Sequence, residues 1–349
     1  LYLMDAVRPE RWMDARPGRW IAVDAPAPEQ TLHLNRDGLG DFAGPFERII
    51  EPNLQVGLGA GEFFPFAFGP ELPVDQSADD AMSVCFDHTL SEDTAIVGAA
   101  RVDLTVIPGA DTHQLAVRLC DVWPDGQSTL ISHGFLNLAQ AGSRSAPERL
   151  GVGTPLDVSV VLDQCAYRLP KGHRLRVAVS SSYWPFIWPA PKLAPITLTG
   201  GVLQLPTLDF GGDAREVGFP GPEGATPWKA TVLRKPAMTR EVIVDDATGQ
   251  RVLRIVTDNG LERDAVHGLQ TGSICTEEWV LSDTLDDLCG TFAWESEMRR
   301  GDWSVRTACE ASLRANATHW FPRAELRAFE GGRLVFEKRF STNIPRDMM

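Results

Sequence analysis

The sequence predicts an all-β protein, in which a β-sandwich is followed by a second, mainly antiparallel β domain. Short runs with an apolar residue at every second position recur along the chain, which is the period of a half-buried strand. Gly and Pro clusters separate these runs, and no helical periodicity lies between them. Regularly spaced strands without intervening helices are typical of sandwiches and barrels.

The stretch from Gln114 to Leu138 predicts the central hairpin of the sandwich. From Leu115 to Leu119, leucine and valine alternate with alanine and arginine, so the aliphatic side chains should share the inward face. The run stops at Pro124–Gly126, where Pro fixes φ, Asp hydrogen-bonds its own backbone and Gly accepts positive φ. We expect Leu119 and Trp123 to be buried beside an exposed turn.

The other strands are predicted in order around this hairpin. In the sandwich they are Thr31–Leu39, Ala100–Ile107, Leu156–Arg168, Leu175–Ser182 and Ile196–Gln204. In the second domain they are Lys229–Lys235, Arg240–Asp245, Arg251–Thr257, Ser273–Leu281, Thr291–Arg300, Trp303–Leu313, Ala324–Glu330 and Arg333–Phe340, with hairpin turns at Asp246–Gly249 and Glu330–Gly332. Arg306 and Glu310 alternate with apolar residues, so one face of this domain should be hydrated.

Three motifs carry a resemblance to a known family. They are CDVWPDGQS with GFLNL in the hairpin, LPKGHRLRVAVSSSYWPFIWP from Leu169 to Pro189, and the segment from Pro73 to Gly98. Together they closely resemble the C-terminal jelly-roll domain of the cocaine esterase (CocE/NonD) and X-Pro dipeptidyl-peptidase type of α/β serine hydrolase. The resemblance implies a galactose-binding-like jelly roll.

The resemblance also implies a division of the chain. RGDWSVRT and IPRD, near the end, are similar to an extra C-terminal β domain of a subset of these hydrolases. We expect a connector with a first strand at 1–53, the jelly roll at 54–207, a linker at 208–228 and the accessory β domain at 229–349. In the family, a similar PGRW segment follows the catalytic domain, so the chain should begin just after a catalytic domain ends.

Four phenylalanines lie within six residues of the Gly- and Pro-rich segment Gly57–Pro73, and no helix or regular strand explains this composition. One interpretation is a loop that plugs the end of the sandwich. The other, implied by the resemblance, is an apolar wall of the catalytic domain's cleft, with Phe63, Phe64 and Phe66 as the wall residues. Together with Phe68, these rings cannot all point inward from one strand, so some should be exposed.

The catalytic residues of a serine hydrolase are missing from the sequence. No G-x-S-x-G elbow occurs, and no histidine shows HxH or HExxH spacing. His173 has no carboxylate paired with it, so we expect it to order a turn. Asp79 and Asp80 should be loop residues, with a weak cation site as the alternative. We expect no catalytic residue, metal or cofactor.

These observations favour the non-catalytic C-terminal region of a CocE/NonD-type serine hydrolase, inactive by itself. Its expected partners are an upstream α/β hydrolase domain and, through that domain, a small ester or peptide substrate. Self-association through the Phe-rich segment, giving a homo-oligomer, is a further expectation. The alternative is a free-standing jelly-roll module that binds carbohydrate or another ligand, with Trp184 and Trp188 as an aromatic platform.

Composition excludes other classes. A net charge of −14 and a sequence pI of about 5.0, with scattered Lys and Arg, argue against nucleic acid as a partner. No apolar run approaches the ~20 residues that a membrane-spanning helix needs. The six cysteines form no CxxC pair, so they should be reduced core thiols of a cytoplasmic protein.

Overall fold

The computed structural model describes residues 1–23, 27–66, 69–208, 214–247 and 250–348. These residues are mostly strand, and they form two compact units. The first unit contains Leu1–Pro65 and Leu72–Phe219, and the second contains Phe66–Glu71 and Pro220–Asp347. Phe68, residues 209–213 near the start of the expected linker and residues 248–249 at the end of the expected turn lie outside the described residues.

The first unit is a β-sandwich. Its strands are β1 (Tyr2–Asp5), β2 (Gly18–Val23), β3 (Glu29–Asn35), β4 (Gly38–Gly40), β5 (Arg48–Ile50), β6 (Val84–Thr89), β7 (Thr94–Gly98), β8 (Arg101–Pro108), β9 (Gln114–Val122), β10 (Ser128–Asn137), β11 (Leu156–Val161), β12 (Cys165–Leu169), β13 (Arg174–Ser180), β14 (Ile196–Leu208) and β15 (Ala214–Glu216). Within the described residues, one sheet has the order β11-β8-β14-β7-β12-β1-β2-β15, with β3 and β5 also pairing with β14 and β4 with β3. The other sheet has the order β10-β9-β13-β6.

The core lies between these two sheets. Leu115, Val117 and Leu119 of β9 are 0% exposed and belong to the same apolar cluster as Val102 and Val106 of β8. The inward alternation of the hairpin is therefore confirmed, because every second side chain of a strand points to the same face. A core of this kind stabilises the sandwich through the apolar area that it removes from water.

The opposite face of β9 is covered as well, which the alternation does not predict. Ala116, Arg118 and Cys120 are each no more than 1% exposed. Val56 and Ala60 pack with Ala116 in a second apolar cluster on this side. The segment before β6 therefore forms a layer over the outside of the four-stranded sheet.

Three expectations need correction. Residues 1–53 contribute five strands rather than one, because short pieces between Pro and Gly pair with distant strands: β1 pairs with β12 and β3 with β14. Leu156–Arg168 is two strands, β11 and β12, which pair with β8 and β7. Trp123 is half-buried rather than buried. Its Nε1 donates to Thr129 Oγ1 at 2.9 Å, and the guanidinium of Arg8, a surface residue, lies 4.1 Å above its ring.

The second unit is one large antiparallel sheet. Its strands are β16 (Ala230–Arg234), β17 (Ala237–Val244), β18 (Arg251–Asp264), β19 (Gln270–Leu281), β20 (Cys289–Arg300), β21 (Trp303–Ala315), β22 (His319–Glu330), β23 (Arg333–Ser341) and β24 (Ile344–Pro345). In the described part of the chain, the order is β16-β18-β19-β20-β21-β22-β23, with β17 also pairing with β18 and β24 with β22. We call it the accessory sheet.

One face of the accessory sheet is charged. Glu310 pairs with Arg327 at 2.7 Å, and Glu325 pairs with Arg339 at 3.3 Å. The side chains of Arg306 and Glu310 are 40% and 64% exposed, so the hydrated face predicted from them is confirmed. We call this the charged face.

Candidate functional site

The Phe-rich segment presents its three described rings to solvent. Phe63, Phe64 and Phe66 are 71%, 69% and 65% exposed, so these three rings do not plug the sandwich. The expectation that some rings face outward is confirmed. Phe63 and Phe64 lie in the first unit, whereas Phe66 falls in the second.

The base of this segment is held close to the sandwich by its backbone. Gly57 has φ of 117°, and a Cβ there would lie 2.4 Å from the carbonyl oxygen of Trp184, so only glycine fits this approach. Gln76 Nε2 donates to the carbonyl oxygen of Gly59 at 2.8 Å, and the Gly59 N–H donates to Asp79 Oδ2 at 3.3 Å. The backbone that immediately precedes the exposed phenylalanines is therefore held in place.

A buried ion-pair network ties this base to the four-stranded sheet. Arg118, on β9, is 1% exposed, and its Nη1 lies 2.8 Å from Asp80 Oδ1. Asp80 Oδ2 also lies 2.9 Å from Arg176 Nη1 on β13. Arg118 donates to Gln76 Oε1 at 3.2 Å, which links the sheet to Gln76 and through it to the segment. Burial raises the pKa of Asp79, and Arg118 opposes this shift.

Asp79 and Asp80 are therefore not the loop residues that were expected. They end the short helix Ser77–Asp80 and are 2% and 5% exposed. Asp80 is neutralised by two arginines, which occupy the position a cation would need. Among the described residues, no three His, Cys, Asp or Glu side chains gather as metal ligands would.

An aromatic cluster lies beneath Phe63. The ring of Phe63 packs edge-on to that of Phe186, with centroids 5.6 Å apart. Phe186 contacts Tyr183 and His133 at centroid distances of 5.5 and 5.8 Å. His133 Nδ1 lies 3.1 Å from Asp163. These neighbours were not predicted from the sequence, although the aromatic residues within Tyr183–Phe186 indicated an aromatic cluster.

His173 does have a carboxylate partner, contrary to expectation. Its Nδ1 lies 2.7 Å from Asp121 Oδ1, and the Tyr167 hydroxyl donates to Asp121 Oδ2 at 2.9 Å. This resembles the histidine–carboxylate pair of a catalytic triad. His173 and Asp121 are only 6% and 0% exposed, however, and burial raises the pKa of Asp121. A substrate cannot reach this pair, so we interpret it as structural.

The arrangement can bind an apolar surface, but the other expected sites offer little chemistry. Trp184 is 0% exposed and packs edge-on to Trp188 at 4.9 Å, so it cannot serve a flat sugar platform. Burial raises the pKa of Cys85 to about 12, which leaves its thiol protonated and unreactive near neutral pH. Of the helices in the described ranges, none is long and apolar enough to cross a membrane.

Comparison with known proteins agrees with this reading of the fold. A family model described as the X-Pro dipeptidyl-peptidase C-terminal non-catalytic domain matches residues 30–243. A comparison with curated proteins gives no significant match.

Solved structures show similarity over part of their length. An α-amino acid ester hydrolase labelled with selenomethionine is 21% identical over 52% of this chain and 36% of its own, with a TM-score of 0.43. An aminopeptidase from a marine sediment archaeon, Thaumarchaeota archaeon, is 16% identical over 57% of this chain and 40% of its own, with a TM-score of 0.46. A CocE/NonD family hydrolase from Staphylococcus aureus is 13% identical over 59% of this chain and 41% of its own, with a TM-score of 0.43.

The chain thus spans well under half the length of these three proteins. The family model, in contrast, covers more than half of this chain and includes the hairpin, the Phe-rich segment and the buried network beneath it. The chain therefore belongs to the family of X-Pro dipeptidyl-peptidase C-terminal non-catalytic domains.

Proposed function

We propose that this chain is the non-catalytic C-terminal region of a CocE/NonD-type serine hydrolase. It packs on an upstream α/β hydrolase domain of the same protein, and Phe63 and Phe64 help to form one wall of that domain's cleft, with Phe66 as a third candidate. The exposure of Phe63 and Phe64 above a fixed base supports this role most directly. The jelly roll proposed at 54–207 also takes in the strands of residues 1–53, and the accessory domain remains at 229–349.

The energetics favour a contact at these rings. At ~25 cal/mol per Å², covering two exposed phenylalanines would contribute a few kcal/mol. The base is already ordered by Gly57, Gln76 and Asp79, so binding loses little conformational freedom there. An apolar wall suits both ester and X-Pro peptide substrates. The six free thiols support a reducing compartment such as the cytoplasm.

The chain by itself should have no esterase or peptidase activity. Covalent acyl transfer needs an activated nucleophile beside an accessible base, and the sequence contains no nucleophile elbow. Hydrolysis of p-nitrophenyl acetate measures this directly. Turnover that is lost on stoichiometric labelling by a serine-directed fluorophosphonate would contradict the proposal.

In the full-length enzyme, the double change Phe63→Ser and Phe64→Ser should raise KM by roughly ten- to a hundredfold, because about 1.4 to 2.8 kcal/mol of apolar contact is lost. The melting temperature should change little, since both rings are exposed. Phe42→Ser is the matched control, because Phe42 is 84% exposed and lies outside the segment. Equal KM for the two variants, or unfolding of the double variant, would argue against a cleft wall.

A further inference from the structure

The face of the accessory sheet opposite the charged face carries uncovered aromatic rings. Phe292, Trp294, Phe336 and Phe340 are 36%, 46%, 48% and 49% exposed. Together they leave roughly 350 Å² of ring surface in contact with water. We call this the aromatic face. A contiguous apolar patch of several hundred Å² on a folded protein usually marks a contact surface.

The strand register gives this face the shape of a trough. Phe292 on β20 lies opposite Ala311, Ala311 lies opposite Ala324, and Ala324 lies opposite Phe340 on β23. Neighbouring strands are ~4.8 Å apart, so the two aromatic walls stand ~14 Å from each other across a floor of small side chains. The trough has a volume of about 650 Å³, and Leu313 also lines it.

At β18 this face is already buried. Ile255 on β18 is in register with Glu277, which is in register with Phe292, so all three side chains share the aromatic face. Ile255 and its neighbour Leu253 are each 2% exposed. Within the described residues, β20 to β23 therefore present the open half of the face. Because a sheet with one apolar face is stable only when that face is covered, this half needs a partner.

We propose that the aromatic face of the accessory sheet binds the same face of a second copy of this chain. A two-fold axis that runs along β21 between the two faces places β20 of one copy over β22 of the other. Each Phe292 then lies over the second copy's Ala324, so a ring of one trough fills the floor of the other. Size complementarity of this kind is what close packing requires.

The charges on this face agree with the same axis. The axis places β19 of one copy over β23 of the other, which brings Glu277 over Phe340 of the second copy, one same-face position along the strand from Lys338. Lys338 lies 4.8 Å over its own Phe340 ring, at the edge of the trough. Each copy thus contributes one acidic and one basic group at opposite rims, and the symmetric arrangement pairs them twice.

The dimensions suit a stable dimer. Stacked sheets pack ~10 Å apart with their strands within ~30° of each other, which preserves the register near the axis. The four rings supply roughly 350 Å² of the ~800 Å² per partner that a standard interface buries. Side chains around the trough complete the remainder.

Cys309 provides a natural probe of the axis. It lies on β21 opposite Trp294 and is a half-buried free thiol on the aromatic face. On the proposed axis, the two Cys309 thiols face each other across the interface. A short bis-maleimide should therefore link two native chains covalently, and Cys309→Ser should abolish the link.

Sedimentation equilibrium tests the interface by mutation. The native chain should be a dimer, and Phe292→Ser with Phe340→Ser should weaken self-association at least roughly thirtyfold, the usual effect of removing central hot-spot residues. Phe63→Ser with Phe64→Ser is the control, because its rings are at least as exposed but lie in the first unit. That control should associate like the native chain.

Three outcomes would overturn the proposal. A native chain that stays monomeric at high concentration shows that the aromatic face is covered in another way, for instance by another domain of the protein. Loss of the dimer in the Phe63 and Phe64 variant alone assigns self-association to the Phe-rich segment. Cross-linking that persists after Cys309→Ser places the contact elsewhere, and this test needs no change to the aromatic rings.

Discussion

Changing Asp80 to Asn should lower the free energy of unfolding by about 3 to 5 kcal/mol, because it removes the shared partner of two arginines inside the first unit. Arg118 is 1% exposed and cannot regain water in the folded state. Its Nη1 lies 2.8 Å from Asp80, and Arg176 lies 2.9 Å from the same carboxylate. The amide of Asn keeps the shape but not the charge, so a buried cation loses its main compensation.

Urea denaturation measures this loss, and Asp125→Asn is the matched control. Asp125 also pairs with an arginine, Arg8, at 2.8 Å, but the two side chains are 59% and 45% exposed. Exposed pairs contribute at most about 1 kcal/mol, so the control should be nearly neutral. If Asp80→Asn lowers the free energy of unfolding no more than Asp125→Asn does, the buried ion-pair network does not hold the Phe-rich segment in place.

Local patterns predicted the parts of the fold that local chemistry decides. The alternation from Leu115 to Leu119 lies within β9 and gives its inward face, because each aliphatic side chain is placed by the period of the strand alone. The turn at Pro124–Gly126 is exposed, as its residue types require. A local count of rings also predicted that some phenylalanines of the Phe-rich segment face outward, as Phe63 and Phe64 do.

Long-range pairings could not be predicted in this way. The Asp121–His173 contact joins residues 52 apart in sequence, and the register of β9 against β13, with Leu175 opposite Asp121, creates it. Arg118 and Asp80 meet for a similar reason, since a layer before β6 folds over the sheet. A single sequence carries no signal for which distant carboxylate a buried cation will meet.

The candidate site was likewise predictable in its local composition but not in its long-range contacts. The Phe-rich composition indicated an apolar surface, and the resemblance supplied its role. The ring that supports Phe63, Phe186, comes from a segment more than a hundred residues later, and it is fixed only when the sandwich closes. The trough of the accessory sheet also needed the register, since Phe292 and Phe340 become walls only when Ala311 and Ala324 fall between them.

Leu119→Ala should lower the free energy of unfolding by about 2 to 5 kcal/mol through lost transfer energy and the cavity that remains. Leu119 is 0% exposed at the centre of β9, opposite Ser132 on β10 and Val177 on β13. Strands on both sides hold the backbone, so the surrounding core cannot collapse into the space. The denaturation midpoint should fall while its dependence on denaturant is unchanged.

Leu193→Ala separates this effect from the general cost of losing a leucine. Leu193 is 42% exposed and lies outside the strands, so the same chemical change should cost well under 1 kcal/mol there. The difference between the two variants then measures burial at the centre of the hairpin. An unchanged midpoint for Leu119→Ala would mean that β9 turns its other face to the core, and the assignment of Arg118 to the outer layer would fail with it.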